Sequence, residues 1–356
     1  MIQPKLIQKK DFIGQEISVG LDVHKKNWNV TIYVEKVFFK KFQQKPIPAQ
    51  LEKYLKDNFP GANYLCAYEA GFCGFWIHRE LTRLGVQCLV VNPADVPTTN
   101  KDQVHKTDPV DSKRIALSLQ AGQLKPIYIP DELLEADRRL VRFRKGLQKD
   151  LTKAQGRIKS ELHLMGLDIP DRFKGWSKPF VEWLKAISVN HDSLRYTLDQ
   201  EILRAEQLRK QLLDFTRKLR SLLKEERYQT IGALLLKVTG IGPITTITCL
   251  TEIADINRFP TFDHLNSFIG FCPSEHSSGE SEKRGKITPR GHQVLRGYFV
   301  EAAWMAVRND PALASAYAKY TKHMTGKRAI IRIARKLLNR VYTVWKYKRE
   351  YTNGIN

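Results

Sequence analysis

The sequence is short of acids. Against 59 lysines and arginines stand 37 aspartates and glutamates, leaving a formal net charge of +22 and a pI near 9.7. An excess of this size makes a polyanion the expected partner. Cysteine is scarce as well. Cys66, Cys73, Cys88, Cys249 and Cys272 form no C-x-x-C pair, which argues against structural zinc or a disulfide framework and fits buried thiols in a reducing compartment. Long apolar runs are missing: the longest span a handful of residues, as around Cys88-Leu89-Val90-Val91, far below the ~20 needed to cross a bilayer. No membrane partner is expected. Met1 to Gln15 lacks the apolar core of a secretory signal, so the expected location is the cytoplasm. What is present is a hydrophobic fraction of 42% over 356 residues, enough for more than one core and incompatible with global disorder.

The positive charge is clustered. Between Arg138 and Lys159 lie nine basic residues and one acid, Asp150. Between Lys283 and Arg349 lie 17 basic residues against Glu301 and Asp310, interleaved with Trp304, Tyr317, Tyr320, Tyr342, Trp345 and Tyr347. Such surfaces neutralise phosphates and release counterions. Arg142, Lys145, Lys149, Lys283, Arg284, Arg290 and Arg296 are the candidate nucleic-acid contacts, although a merely solvated surface has the same composition.

Alternating apolar patterns predict strands at 17–23, 28–34 and 37–42 as an antiparallel meander. A helix over 49–59, a strand over 64–68, a helix over 74–84, a strand over 86–91 and a helix from about Thr107 follow. The order βββαβαβα is that of a ribonuclease H-like or RuvC-like mixed sheet with the first strand central. Long charged helices are expected from Leu133 to Glu226, with apolar residues three, four or seven apart (Leu147, Leu151, Ala154, Ile158; Leu198, Ala205, Leu208, Leu212). The pattern fits a coiled-coil arm and a plain helical subdomain equally. Beyond Leu234, Gly240-Ile241-Gly242-Pro243 before an apolar helix has the form of a helix-hairpin-helix, whose backbone N–H groups hold phosphate without reading bases; an ordinary glycine-terminated helix pair has the same form. The expected organisation is α/β plus all-α, with domains at 1–130, 131–228 and 229–356.

Four acids fall at telling places. Asp22 lies within the first strand pattern, Glu69 ends the fourth, and Asp108 and Asp111 stand three apart at a helix start, where they share a face. Hard oxygen donors of this kind hold magnesium, and paired ions can clamp the oxygens of a phosphodiester. Any one of them alone would pass for a solvated acid. A further candidate is the polar segment Ser277-Ser278-Gly279, read as a loop and followed by Lys283, Arg284, Lys286, Arg290 and Arg296. A hydroxyl among cations suits an oxygen nucleophile attacking phosphorus.

Gly20-Leu21-Asp22-Val23-His24-Lys25, Tyr68-Glu69-Ala70, Lys106-Thr107-Asp108-Pro109-Val110-Asp111, Gly240-Ile241-Gly242 and Pro273-x4-Ser278-Gly279 together resemble the DEDD-type insertion-sequence transposases. That family includes the Piv pilin-gene invertases and the bridge-RNA-guided recombinases, and the resemblance covers roughly residues 16 to 345. It implies a RuvC-like domain, a coiled-coil arm and a carboxy-terminal transposase domain. It further implies Asp22, Glu69, Asp108 and Asp111 as metal ligands for magnesium or manganese, and Ser278 as nucleophile. DNA, a noncoding guide RNA and a dimer to tetramer of this chain are the implied partners. Two rivals stand beside this expectation: a RuvC-like junction resolvase using metal-activated water, and a non-catalytic RNA-binding scaffold.

Overall fold

The computed structural model describes residues 12–97, 108–278, 281–288 and 290–352, with backbone alone at 108–110, 274–278 and 281–286. The chain divides into two compact units, Met1–Ile129 and Pro130–Asn356.

The first unit is a mixed sheet between helices. Its strands are β1 (Glu16–Val23), β2 (Trp28–Val34), β3 (Val37–Gln44), β4 (Asn63–Glu69) and β5 (Gln87–Val91), and its helices α1 (Pro48–Asn58), α2 (Trp76–Arg83) and α3 (Asp108–Gln120). The sheet order is β3-β2-β1-β4-β5, with β1 antiparallel to β2 and parallel to β4. β1 is central because Ile17 to Leu21 are buried on both faces, the mark of a strand covered above and below. β3 is the edge. Exposed Lys40 and Lys41 there discourage pairing with a further strand. One face carries Ile17, Val19 and Leu21 against Leu51 and Leu55 of α1 and Ile77 and Leu81 of α2. The other carries Ala67 and Val91 against Ile115 and Leu119 of α3. The helix expected from near Thr107 runs from Asp108, and Thr107 itself lies outside the described residues.

The second unit is helical apart from one hairpin. Helices α4 (Glu132–Leu164) and α6 (Asp192–Leu222) are the long charged pair. They run antiparallel: the Phe143 and Phe215 rings meet at 4.8 Å, tilted by 36°, and Arg144 Nε donates to Thr216 Oγ1 at 2.8 Å. Their far ends enclose Ala154, Ile158, Leu162, Leu198 and Ile202 with Phe180 and Leu184 of α5 (Lys178–Ala186). Their near ends, through Val141, Leu219 and Leu222, join the core of the remaining helices. Those are α7 (Glu226–Leu236), α8 (Pro243–Ile253), α9 (Phe262–Ile269), α10 (Gln293–Asn309), α11 (Pro311–Thr321) and α12 (Gly326–Tyr347). α8 is buried at every position from Thr245 to Ile253, so it is the central rod around which the others pack.

The segment read as a polar loop is instead an antiparallel hairpin, β6 (Pro273–Ser278) with β7 (Ser281–Ile287). Serine, glutamate and lysine have little strand propensity of their own, and it is the cross-strand ladder that holds them extended. Among the described residues no helix is long and apolar enough to cross a membrane.

Candidate active site and nucleic-acid interface

The carboxylate site is built on Gly20. A Cβ at this position would lie 2.1 Å from the Ser112 carbonyl oxygen and 2.5 Å from the Ala116 backbone nitrogen, so only glycine lets α3 rest directly on β1. A buried hydrogen bond of 2.9 Å between Thr31 Oγ1, on the neighbouring strand, and Ser112 Oγ fixes the helix there. Asp111 immediately precedes Ser112, so the same contact that seats the helix sets the acid. On the sheet, Leu21 and Tyr68 are partners in the parallel register, and the next residues are Asp22 and Glu69. Side chains two apart share a strand face. Asp22 therefore shares the face of Gly20, and Glu69 that of Ala67, which is the face covered by α3.

Hydrogen bonds define the site further. Asp22 Oδ2 accepts from Asn29 Nδ2 at 3.3 Å and lies 3.0 Å from His24 Nε2. Asn29 is held in turn by Gln43 Nε2 at 2.8 Å, giving a polar row across three strands. Arg114 Nη2 donates to Glu69 Oε1 at 3.0 Å and lies 3.1 Å from Asp111 Oδ1. One guanidinium nitrogen thus joins two of the sequence-predicted ligands. Asp108 opens α3 by its backbone, and its carboxylate lies outside the described residues. Among the described residues no three His, Cys, Asp or Glu side chains converge closely enough to hold a metal ion as they stand. The donor chemistry nevertheless fits a hard divalent cation, since carboxylate oxygens from two strand ends and one helix gather on one face.

Sequence reasoning named the acids and passed over Arg114, Asn29 and Gln43. The signal for Arg114 was its place three residues after Asp111, one helical turn along the same face.

The predicted nucleic-acid contacts fall into two groups. Arg142 is exposed, yet it reaches a buried acid: its Nε and Nη2 each donate to the Glu252 carboxylate at 2.7 Å. Glu252 lies on α8, is almost fully buried, and is also 3.2 Å from His292 Nε2. His292 Nδ1 accepts from the Leu295 N–H, so Nε2 carries the hydrogen and donates to Glu252. Arg138 completes the cluster through the Thr251 carbonyl at 2.6 Å and the Glu252 carbonyl at 3.2 Å. Burial opposes ionisation of Glu252, but hydrogen bonds from Arg142 and His292 outweigh it and hold its pKa down at about 2. The charge therefore contributes stability that is complete above the ordinary glutamate range and is lost as pH falls toward 2. Glu252→Gln is expected to destabilise this unit by roughly 3 kcal/mol at neutral pH, read by denaturant unfolding. The deficit should shrink at about pH 2.5, and an equal deficit at both pH values would refute the charge assignment.

Arg296 is half-buried. Its Nη1 donates to the Gly270 carbonyl at 3.2 Å and the Thr288 carbonyl at 2.8 Å, tying the base of the β6–β7 hairpin. Arg290 is exposed and its backbone N–H donates to Thr288 Oγ1. Ser278 ends β6 opposite Ser281, and Ser277 stands opposite Glu282. The side chains of Ser277, Ser278, Lys283 and Arg284, and Gly279 altogether, lie outside the described residues.

The second group borders the glycine turn. Gly240 adopts φ +90°, and a Cβ there would lie 2.5 Å from the Ala302 carbonyl oxygen, so both conformation and close packing on α10 demand glycine. Gly242 has an ordinary φ of −95° and caps α8, with open space around it. Beside it is an open cleft of about 730 Å³ lined by Gly242, Thr245, Tyr298, Glu301, Trp304 and Arg308. Lys145 Nζ sits 5.0 Å above the Tyr298 ring. Burial first, then the like charges of Lys149 and Arg144, push the Lys145 ammonium below its ordinary value. Lys149 is exposed one helical turn further along α4.

A five-stranded mixed sheet in this order, packed between helices, fits a ribonuclease H-like domain. Two transposase family profiles match the chain: a DEDD-type profile of the IS110 group over residues 19–166, and that of the transposase IS116/IS110/IS902 family over 232–318. A putative transposase of Sinorhizobium fredii is 30% identical over 241 residues, 68% of this chain and 58% of that protein. The transposase for insertion sequence element IS1533 of Leptospira borgpetersenii is 25% identical over 299 residues, 82% of this chain and 85% of that protein. The pilin gene-inverting protein of Moraxella bovis is 34% identical over 132 residues, 35% of this chain and 40% of that protein. The chain belongs to the DEDD-type insertion-sequence transposase family.

Proposed function

We propose that the protein is a DNA transposase or site-specific recombinase that exchanges strands through a serine–DNA intermediate, with a noncoding RNA choosing the DNA and more than one copy of the chain in the active assembly. The observation that carries this reading is the seating of Asp111, through the helix resting on Gly20, over the strand ends that bear Asp22 and Glu69. Asp22, Glu69, Asp108 and Asp111 would hold magnesium or manganese, which when bound polarises the scissile phosphate. Ser278 Oγ attacks phosphorus and gives up its proton, forming a serine–DNA phosphodiester as one deoxyribose oxygen departs and takes up a proton. A deoxyribose hydroxyl of the incoming strand then reverses the attack, losing its proton as the serine oxygen departs and regains one. Lys283, Arg284 and Arg290 offset the charge that develops on phosphorus oxygens. The α4–α6 pair serves as a coiled-coil arm. The Gly240–Gly242 turn serves as a helix-hairpin-helix, offering backbone N–H groups to a phosphate beside Lys145 and Lys149.

The test uses protein with its co-purified RNA, element-end DNA and magnesium. A covalent protein–DNA complex and one discrete RNA are expected, and Asp111→Ala should abolish the complex while leaving the circular dichroism spectrum intact. Metal-dependent cleavage with no adduct would overturn the serine step and favour hydrolysis by metal-activated water. Recombination by RNase-treated protein would remove the RNA from the reading.

A further inference from the structure

Arg114 stands where the charge logic of the carboxylate site is least expected. Its guanidinium joins Glu69 and Asp111 through one nitrogen, at 3.0 and 3.1 Å. The side chain is mostly buried, and its Nε is shielded from solvent without an acceptor among the described residues. A guanidinium does not deprotonate in a protein, so it keeps a positive charge between these two acids at every working pH. Two carboxylates facing one point repel each other unless a cation lies between them. Arg114 is such a cation, supplied by the same helix that carries Asp111.

We infer that Arg114 is a built-in stand-in for the metal: it holds Glu69 and Asp111 in place while the site is empty, and it must be displaced for a divalent ion to join those two acids. The inference rests on the metal-binding reading of the site. It makes Arg114 a positioning residue, with metal binding an exchange of one cation for another. The orphaned Nε is consistent with a guanidinium held by the two carboxylates and not by a complete set of its own partners. Such an exchange weakens metal affinity relative to a site without the arginine, and keeps the acids ordered in the absence of metal.

The experiment measures binding of Mn²⁺ alone to the full chain, by electron paramagnetic resonance of the free ion and by calorimetry, with no nucleic acid present. Arg114→Met is expected to bind Mn²⁺ about tenfold more tightly than the unaltered protein, in the range by which two competing ligands ordinarily influence each other. Its metal-free melting temperature should fall and its Mn²⁺-induced rise should grow. Arg114→Lys, which keeps the charge but lacks the planar fork, should lie between the two and guards against a misfolded methionine variant. Folded Arg114→Met or Arg114→Lys with unchanged or weaker Mn²⁺ affinity overturns the inference. Asp22→Asn and Asp111→Asn separate the two levels of argument. Loss of Mn²⁺ binding in both upholds the metal site whatever Arg114 does, whereas no binding by any form, Arg114→Met included, overturns both.

Discussion

Gly20→Ala is expected to cost about 3 kcal/mol or more of stability, the upper end for overpacking a core, because the atoms in the way are backbone. The added methyl would lie 2.1 Å from the Ser112 carbonyl oxygen, 2.5 Å from the Ala116 nitrogen and 2.9 Å from the Ala116 Cβ. A flexible side-chain tip could swing aside; a helix backbone has to translate as a body. Moving α3 outward also breaks the buried Thr31–Ser112 hydrogen bond and opens the contacts of Ile115 and Leu119 with Ala67 and Val91. The consequence reaches the site, since Asp111 and Arg114 ride on the same helix. A variant rescued by low temperature should remain inactive in strand cleavage. Gly71→Ala is the control, because the nearest atom to a Cβ there is 4.0 Å away. Urea unfolding followed by circular dichroism reads both. A Gly20→Ala protein within 0.5 kcal/mol of the unaltered chain, the ordinary range for harmless surface changes, would show that α3 is not seated on β1 in this way.

The difference between what is legible in the sequence and what is not follows from how local each signal is. The strands of the first unit announce themselves through alternation, and Asp22 and Glu69 stand out because acids interrupt that alternation at strand ends. Asp111 is legible for the same reason at a helix start. Gly20 reads only as part of a motif; its steric role depends on a helix some ninety residues later in the chain, and nothing local encodes that. Arg114 looks like any basic residue on an amphipathic helix until Glu69 is brought beside it. Glu252 does leave a local trace: an acid inside the apolar run Ile247-Thr248-Cys249-Leu250-Thr251-Glu252-Ile253 is buried and needs cationic partners. That need is met by the Arg142 guanidinium, which forks onto the carboxylate from the exposed side of α4. The β6–β7 hairpin is illegible because its residues favour loops and only the partner strand makes them extended.

Ser278→Ala is expected to remove the covalent DNA adduct entirely, with strand exchange falling by at least about 10⁴-fold, the scale on which loss of a nucleophile acts. Binding of DNA and Mn²⁺ should survive, since the substitution leaves all four acids of the proposed metal site in the chain. An isolated serine hydroxyl is a weak nucleophile, and the nearby Glu275 and His276 are too close in sequence to relay a proton in the geometry of a hydrolase triad. On the proposed mechanism its reactivity comes from a polarised phosphate and surrounding cations, so the adduct is expected to depend on magnesium as well as on the serine. Ser277→Ala is the discriminating neighbour. Ser277 pairs with Glu282 and Ser278 with Ser281 in the hairpin register, so the two serines hold different places along the backbone ladder. Ser277→Ala should keep activity within about tenfold of the unaltered protein, a loss of no more than ~1.4 kcal/mol in the barrier. Mass spectrometry of the nuclease-trimmed complex decides the matter: a nucleotide on Ser278 upholds the assignment, and one on Ser277 or Ser281, or on no serine, removes it.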